Sequence, residues 1–271
     1  MTLANLSIVI LTYNRYGFLE RLLDFYQSYS LKYPIIILDS SSDVITSERL
    51  NQLLANSLVV HKKFDSAIFP SFKIDQGLEE VKTPFAVLCA EDDFLIPDGL
   101  AASVDFLVNY PDYSCAHGRY VNHKLQNGRK FIWSSLYKDA ISIVRDEALD
   151  RFVQFLSGNG SGIPLYAVHR TDDLKFIWQK TAQYIDGHGF IETFSISCSL
   201  LAGKLKILPV FYSSRSRAWI SSGVSGRKSP GLSDPSFKGP ICARCSVRSR
   251  APMIFIISRI CRFNPSCSVI L

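Results

Sequence analysis

The chain alternates short, uninterrupted apolar runs with stretches in which apolar residues recur every three or four positions. In "LSIVILTYNR", Ile8-Val9-Ile10-Leu11 has no polar face, as a strand covered on both sides of a parallel sheet requires. "YGFLERLLDFYQSY" follows with Phe18, Leu22, Phe25, Tyr26 and Tyr29 at helical spacing, which predicts an amphipathic helix. The pattern then repeats. "YPIIILDSSSD" predicts a second buried strand ending in Asp39, "SERLNQLLAN" a helix, "LVVHKKF" a third strand, "FKIDQGLEEV" a helix and "PFAVLCAEDD" a fourth strand. Strands alternating with helices predict βαβ units, hence an α/β fold with a Rossmann-like, mostly parallel sheet flanked by helices.

Past the fourth strand, "PDGLAASVDFLVNYP" predicts a helix bracketed by Pro97 and Pro111. "YSCAHGRYVNHKL" and "RKFIWSSLY" read as strands joined by a turn at Asn127-Gly128. "RDEALDRFVQFL" predicts a helix and "IPLYAVHRTDDL" an extended stretch. "FIETFSISCSLLAGKLKILPVFY" predicts a helix stopped by Gly203 and then a strand.

Composition changes this picture at one point. The 271 residues, 47% of them hydrophobic, suffice for one large domain with an appendage, and the net charge of +6 invites a nucleic-acid reading. Its distribution argues against that. Residues 213–271 hold ten Lys and Arg against Asp234 alone, which is +9, so the first 212 residues carry +6 − 9 = −3. The same tail has 14 serines and no coherent amphipathic pattern. It reads as translation in a shifted frame, the favoured explanation, or as a disordered basic extension. Cys242 and Cys245, with Cys261 and Cys267, suggest zinc, but the later spacing is irregular and no histidine follows. Cys89, Cys115 and Cys198, scattered in apolar company, predict a reduced interior. With no apolar run of about 18 residues and no secretion signal at Met1–Asn5, the expected location is cytoplasmic.

The chemistry concentrates where strands end. "VLCAEDDFLIPD" runs from a buried strand into Glu91-Asp92-Asp93, three like charges that need open water or a cation to hold them. Ligands of open α/β sheets bind at the carboxyl ends of the strands. Thr12-Tyr13-Asn14-Arg15, Asp39-Ser40-Ser41-Ser42-Asp43 and Glu91–Asp93 all fall there and are expected to share one crevice. Grouped hard carboxylates suit Mg²⁺ or Mn²⁺, which keep positions open for substrate phosphates.

"IVILTYNR", "IIILDSSS" and "VLCAEDDFLIPDGL", in this order, resemble the nucleotide-sugar half of a family 2 glycosyltransferase of the GT-A fold, with Glu91-Asp92-Asp93 as the DxD-type motif. "IETFSISCSLLAGKLKILP" is similar to the family's "EDxDLxxRLxxAGxxIxxxP", which aligns Glu192 with the catalytic base. The likeness spans roughly residues 5 to 212. The family's usual second acid is Ile191 here, Glu91 replaces the commoner Asp, and the Gln/Arg-rich motifs of processive synthases are absent. The last departure disfavours a polysaccharide synthase.

The resemblance implies a domain over 1–212, with a nucleotide-sugar half in 1–100 and an acceptor and catalytic half in 101–212, followed by the tail 213–271. It implies a metal-dependent, inverting transfer of a hexosyl group from a nucleotide-sugar donor to a glycan or lipid-linked acceptor. The setting would be bacterial surface polysaccharide or glycan assembly, with peripheral association at the inner face of the membrane. Mn²⁺ or Mg²⁺ would sit on Asp93, assisted by Glu91. Asp39 would accept from the base, Asp92 would lie near the ribose, and Thr12, Tyr13, Asn14, Arg15 and Lys73 near base and diphosphate. Glu192 would be the base, with Asp186 as its substitute. Each residue has a plainer reading: Asp39 as a helix cap, Glu192 as a first-turn acid favoured by the helix dipole, His188 as an exposed loop histidine. Trp133, Trp178 and Trp219 are expected in packing. A sugar-1-phosphate nucleotidyltransferase would share the sheet and the acids but open on a glycine-rich phosphate loop, where "LTYNRYGF" has only Gly17. A degenerate nucleotide-sugar-binding protein without turnover is the other alternative.

Overall fold

The computed structural model describes residues 5–126, 130–158, 164–185 and 190–216. The tail from 217 onward, the Asn127-Gly128 turn, Asp186, His188 and Trp219 lie outside them. Strands β1 (Leu6–Thr12), β2 (Ile35–Asp39), β3 (Val59–Lys63) and β4 (Phe85–Ala90) alternate with helices α1 (Tyr16–Ser28), α2 (Glu48–Leu54) and α3 (Pro70–Leu78). β1 pairs in parallel with both β2 and β4, and β3 continues the parallel edge beside β2. Each residue of β2 is buried, as are all but one of β1 and of β4, because helices cover both faces. Ile8, Ile10, Ile35, Ile37, Val87 and Cys89 form one core with Leu19, Leu22, Leu23 and Tyr26 of α1 and Leu50 and Leu53 of α2. On the opposite face Leu38 lies against α3 so closely that a Cβ on Gly77 would meet its side chain at 2.2 Å.

The apolar stripe of α1 is rotated from its expected position. Leu19, Leu22, Leu23 and Tyr26 are buried, whereas Phe18 and Phe25 are only partly covered and Tyr29 is 56% exposed. Aromatic rings at the rim of the helix take other partners. Phe18 lies under the guanidiniums of Arg15 and Arg21, and Phe25 meets Phe94 edge-on.

The second half of the chain extends the same sheet. β5 (Phe94–Leu95), α4 (Pro97–Asn109), β6 (Tyr113–Gln126), β7 (Lys130–Leu136), α5 (Ala148–Leu156), β8 (Val168–Arg170), α6 (Thr171–Tyr184), α7 (Ile191–Ala202) and β9 (Lys204–Ser216) follow in order. The strand order among described residues is β3-β2-β1-β4-β8-β6-β9-β5, with β7 on β6. β8 is antiparallel to both β4 and β6 and so splices the two halves into one sheet. The extended reading of "IPLYAVHRTDDL" holds only for Val168–Arg170. Thr171 starts α6, with Asp172 and Asp173 in its first turn, where carboxylates favour the helix dipole. Trp178 of α6 is 2% exposed, a packing residue as expected.

Gly203 ends α7 for a reason other than a left-handed turn. Its φ of −174° is open to any residue, but a Cβ there would lie 2.7 Å from the Ser114 backbone nitrogen. The same helix end is tied down by Arg151 of α5, which donates to the carbonyls of Leu200 at 2.7 Å and Leu201 at 3.3 Å. A cation on the last carbonyls of a helix offsets its negative dipole end and holds the element that carries Glu192. β9 continues four residues past Tyr212, with Ser213 and Ser214 buried, so the compact unit closes at Ser216. Among the described residues no helix is long and apolar enough to cross a membrane.

Candidate active site

Thr12, Asp39 and Ala90 are the last residues of three adjacent parallel strands, and Thr12 is in register with Asp39. The loops that follow therefore leave from one edge of the sheet, as the pattern predicted. Side chains link them directly. Asn14, at φ +53°, accepts on Oδ1 from the backbone N–H of Ser42 at 2.9 Å and of Asp43 at 3.1 Å, while its own N–H donates to Ser41 Oγ at 2.8 Å. An asparagine tolerates this left-handed backbone because its short side chain bonds locally. Arg15 bridges in the other direction, to Asp92 Oδ2 at 2.7 Å and to Glu91 Oε1 at 3.2 Å.

Asp39 is fully buried, with both carboxylate oxygens engaged. Oδ2 accepts from His61 Nε2 at 2.8 Å, Tyr16 Oη at 2.9 Å and Lys63 Nζ at 3.0 Å, and Oδ1 from the Ser41 N–H at 2.8 Å. Burial alone would raise its pKa, but the donors from His61, Ser41 and Lys63 hold it well below the usual carboxylate range. Asp39 thus fixes Tyr16 and the half-exposed Lys63 at the rim. Parallel register sets Lys63 directly across from Asp39, a pairing no local pattern reveals.

Lys73, 6% exposed, lies behind these strand ends, where Nζ donates to Ser40 Oγ at 2.9 Å and to the Thr12 carbonyl at 3.2 Å. Burial lowers its pKa against the pull of Glu91 and Asp39. Its hydrogen bonds tie the ends of β1 and β2 together. Thr12 Oγ1, also buried, has no hydrogen-bond partner among the described residues. Tyr13 is 51% exposed beside this edge.

The three carboxylates are held by arginines. Arg15 takes Glu91 and Asp92, Arg21 donates to the Asp92 carbonyl at 3.0 Å, and Arg215 Nε donates to Asp93 Oδ2 at 2.9 Å. Glu91 and Asp93 are each 6% exposed. Burial pushes the Glu91 carboxyl up to about 7, and the charges of Arg15 and Lys73 only partly counter it. Removing Asp93 would leave the Arg215 guanidinium without this partner, so relief of like-charge repulsion is not the dominant effect there. Among the described residues no three His, Cys, Asp or Glu side chains are grouped to hold a metal ion. A cation of the Mg²⁺ type needs only one or two protein carboxylates and completes its shell with water and substrate phosphate, and Glu91 and Asp93 are the buried carboxylates at this strand end.

Glu192 is exposed in the first turn of α7. Its charge acts on Tyr137 and Tyr166, the two phenols that Arg215 and Asp93 also influence. Tyr137 holds a φ of +54°, rare for an aromatic residue and a sign of local strain. Tyr16, Arg21, His61, Lys63, Tyr137, Tyr166 and Arg215 stand beside the candidate residues, and sequence reasoning missed them. The local signal for His61 and Lys63 is the polar "HKK" inside a predicted strand, whereas Arg215 lay in the segment read as tail and only the structure extends β9 to it.

Residues 7–196 match the family model described as "Glycosyl transferase family 2". No curated protein sequence matches the chain. Among solved structures it is similar to S. aureus TarS 1-349, at a TM-score of 0.57 and 15% identity over 78% of this chain and 60% of that one. The complex of TarS 1-349 with UDP-GlcNAc gives 0.57 and 14% over 79% and 59%, and S. aureus TarS gives 0.56 and 14% over 78% and 36%. This chain therefore spans about three fifths of the shorter TarS chain. At such identity the likeness is one of fold, and that fold is GT-A. With the family model matching well over half of its length, the chain belongs to glycosyl transferase family 2.

Proposed function

We propose that the protein transfers a hexosyl group from a nucleotide-sugar donor to an acceptor hydroxyl, with inversion at the anomeric carbon. The observation that carries this reading is the meeting of the Thr12–Arg15, Asp39–Asp43 and Glu91–Asp93 loops at one carboxyl edge, with Arg15 bonded across to Glu91 and Asp92. Nucleotide contacts fall to Thr12, Tyr13, Asn14 and Arg15, to Asp92 at the ribose, and to the rim of Tyr16 and Lys63 that Asp39 holds, with Lys73 bracing the strand ends. A divalent cation, Mn²⁺ or Mg²⁺, held by Asp93 and Glu91, would supply Lewis-acid neutralisation of the departing diphosphate.

Glu192 takes the proton from the acceptor hydroxyl as its oxygen attacks the anomeric carbon opposite the nucleotide. The new bond joins the acceptor oxygen to that carbon as the carbon–oxygen bond to the diphosphate breaks, and one in-line displacement inverts the centre. Asp186 is the substitute base. The acceptor is a glycan or lipid-linked sugar in bacterial surface-polysaccharide assembly, reached at the inner face of the membrane. UDP-sugars are the first donors to try, since TarS 1-349 has been solved with UDP and with UDP-GlcNAc.

Thermal-shift screening of nucleoside diphosphates with and without Mn²⁺, followed by donor hydrolysis assays, tests the reading, because a ligand selective for the folded state raises Tm. Absence of any nucleotide effect overturns it. One observation favours a second reading, donor binding without turnover: each carboxylate of Glu91–Asp93 already has a guanidinium partner. Nucleotide affinity with no hydrolysis or transfer selects that alternative.

A further inference from the structure

Asp93 receives its cation from the last strand of the described chain. β9 runs parallel to β6, with Tyr120 opposite Ser213 and Asn122 opposite Arg215, and antiparallel to β5, with Phe94 opposite Ser214. Because β5 begins immediately after Asp93, this pairing carries residue 215 past the acidic loop. The Arg215 and Asp93 side chains are 26% and 8% exposed and meet at 2.9 Å. The guanidinium carbon also lies 5.3 Å from the centre of the Tyr166 ring, and its charge acts on the Tyr137 phenol. Arg215 is therefore held by an aromatic ring as well as by its carboxylate, at the junction between the acidic cluster and the phenols that feel Glu192.

We propose that Arg215 is an exchangeable counter-ion: it neutralises Asp93 in the free protein and turns to the donor diphosphate when Asp93 takes a divalent cation. This inference rests on the donor-site reading above. Charge sets the direction of the exchange. A divalent ion on Asp93 repels a guanidinium at the same oxygens, while the diphosphate it accompanies attracts one. The planar fork of an arginine suits phosphate oxygens as well as a carboxylate. Tyr166 keeps the guanidinium in the site once Asp93 releases it, through a ring-face attraction that does not depend on Asp93.

The exchange predicts effects of opposite sign from one substitution. Mn²⁺ alone, titrated into the full chain and followed by the electron paramagnetic resonance of the free ion, should bind Arg215→Gln about tenfold more tightly than wild type, because the competing cation is gone. UDP, titrated by calorimetry at saturating Mn²⁺, should bind the same variant about tenfold more weakly. Arg215→Lys, which keeps the charge and protects the fold, should leave Mn²⁺ affinity near wild type and still weaken UDP, since an ammonium lacks the fork. A fixed structural bridge gives a different result: Mn²⁺ affinity unchanged or lower in Arg215→Gln, with UDP binding unchanged in Arg215→Lys, and that pattern overturns the exchange. Failure of wild type itself to bind Mn²⁺ overturns the cation assignment and the exchange together, and is distinguished by the wild-type titration.

Discussion

Glu91→Gln should stabilise the metal-free protein at alkaline pH and leave it almost unchanged in acid. Burial raises the Glu91 carboxyl from its ordinary 4.5 to about 7. An acid raised in this way keeps its proton in the folded state over a range in which the unfolded chain has lost it. The stability this contributes is complete below the unfolded pKa and is lost as pH rises through the folded one. Over about 2.5 pH units at roughly 1.36 kcal/mol each, the loss is about 3 kcal/mol. Glutamine has the shape of the protonated acid and no charge to desolvate. The difference in unfolding free energy between variant and wild type should therefore stay below about 1 kcal/mol near pH 5 and reach about 3 kcal/mol near pH 8.

The comparison must be a difference because two histidines act in the opposite sense. His117 and His169, each 1% exposed, are held down to about 4 by burial, with Nδ1 of each donating to a backbone carbonyl. They remain neutral when folded, so their contribution is present above the unfolded value of 6.5 and is lost as pH falls toward 4. Urea unfolding of both proteins in EDTA at several pH values reads the Glu91 contribution directly. A difference that is constant with pH, or that shrinks toward pH 8, refutes the account of Glu91 as a carboxylate destabilised by desolvation.

Three further outcomes are expected. Asp93→Ala should abolish Mn²⁺-dependent nucleoside diphosphate binding and lower stability by about 1–3 kcal/mol, because a partly buried guanidinium loses its partner; calorimetry and urea melts check both, and intact Mn²⁺-dependent binding removes Asp93 from the site. Glu192→Gln should cut kcat by roughly 10² to 10⁴ with little change in donor KM, and Asp186→Asn should cost less; steady-state transfer kinetics that reverse this order assign the base to Asp186. Deleting residues 222–271 should leave Tm nearly unchanged, as the acid-poor, serine-rich composition predicts, and a large drop in a melting curve refutes it. Translating the other reading frames of the gene tests the frameshift proposal.

The first four strands and their helices were legible along the chain because burial on both faces leaves a local signature. Ile8–Leu11, Ile35–Leu38 and Phe85–Cys89 can be apolar throughout only if helices cover both sides of the sheet, and Asp39 and Glu91, which end two of those runs, mark its carboxyl edge. Elements whose stability comes from distant partners were harder to read. β5 has two residues and exists because β9 pairs with it, and α6 begins inside a stretch that looked extended. At the site, sequence identified the carboxylates but not what neutralises them. Arg15 lies 77 positions from Asp92 and Arg215 lies 122 from Asp93, and Lys63 reaches Asp39 through strand register. A buried charge must find its counter-charge in space rather than along the chain. Sequence therefore determined where the negative charge is, and only the tertiary structure decided that arginines from β1's loop and β9 would hold it.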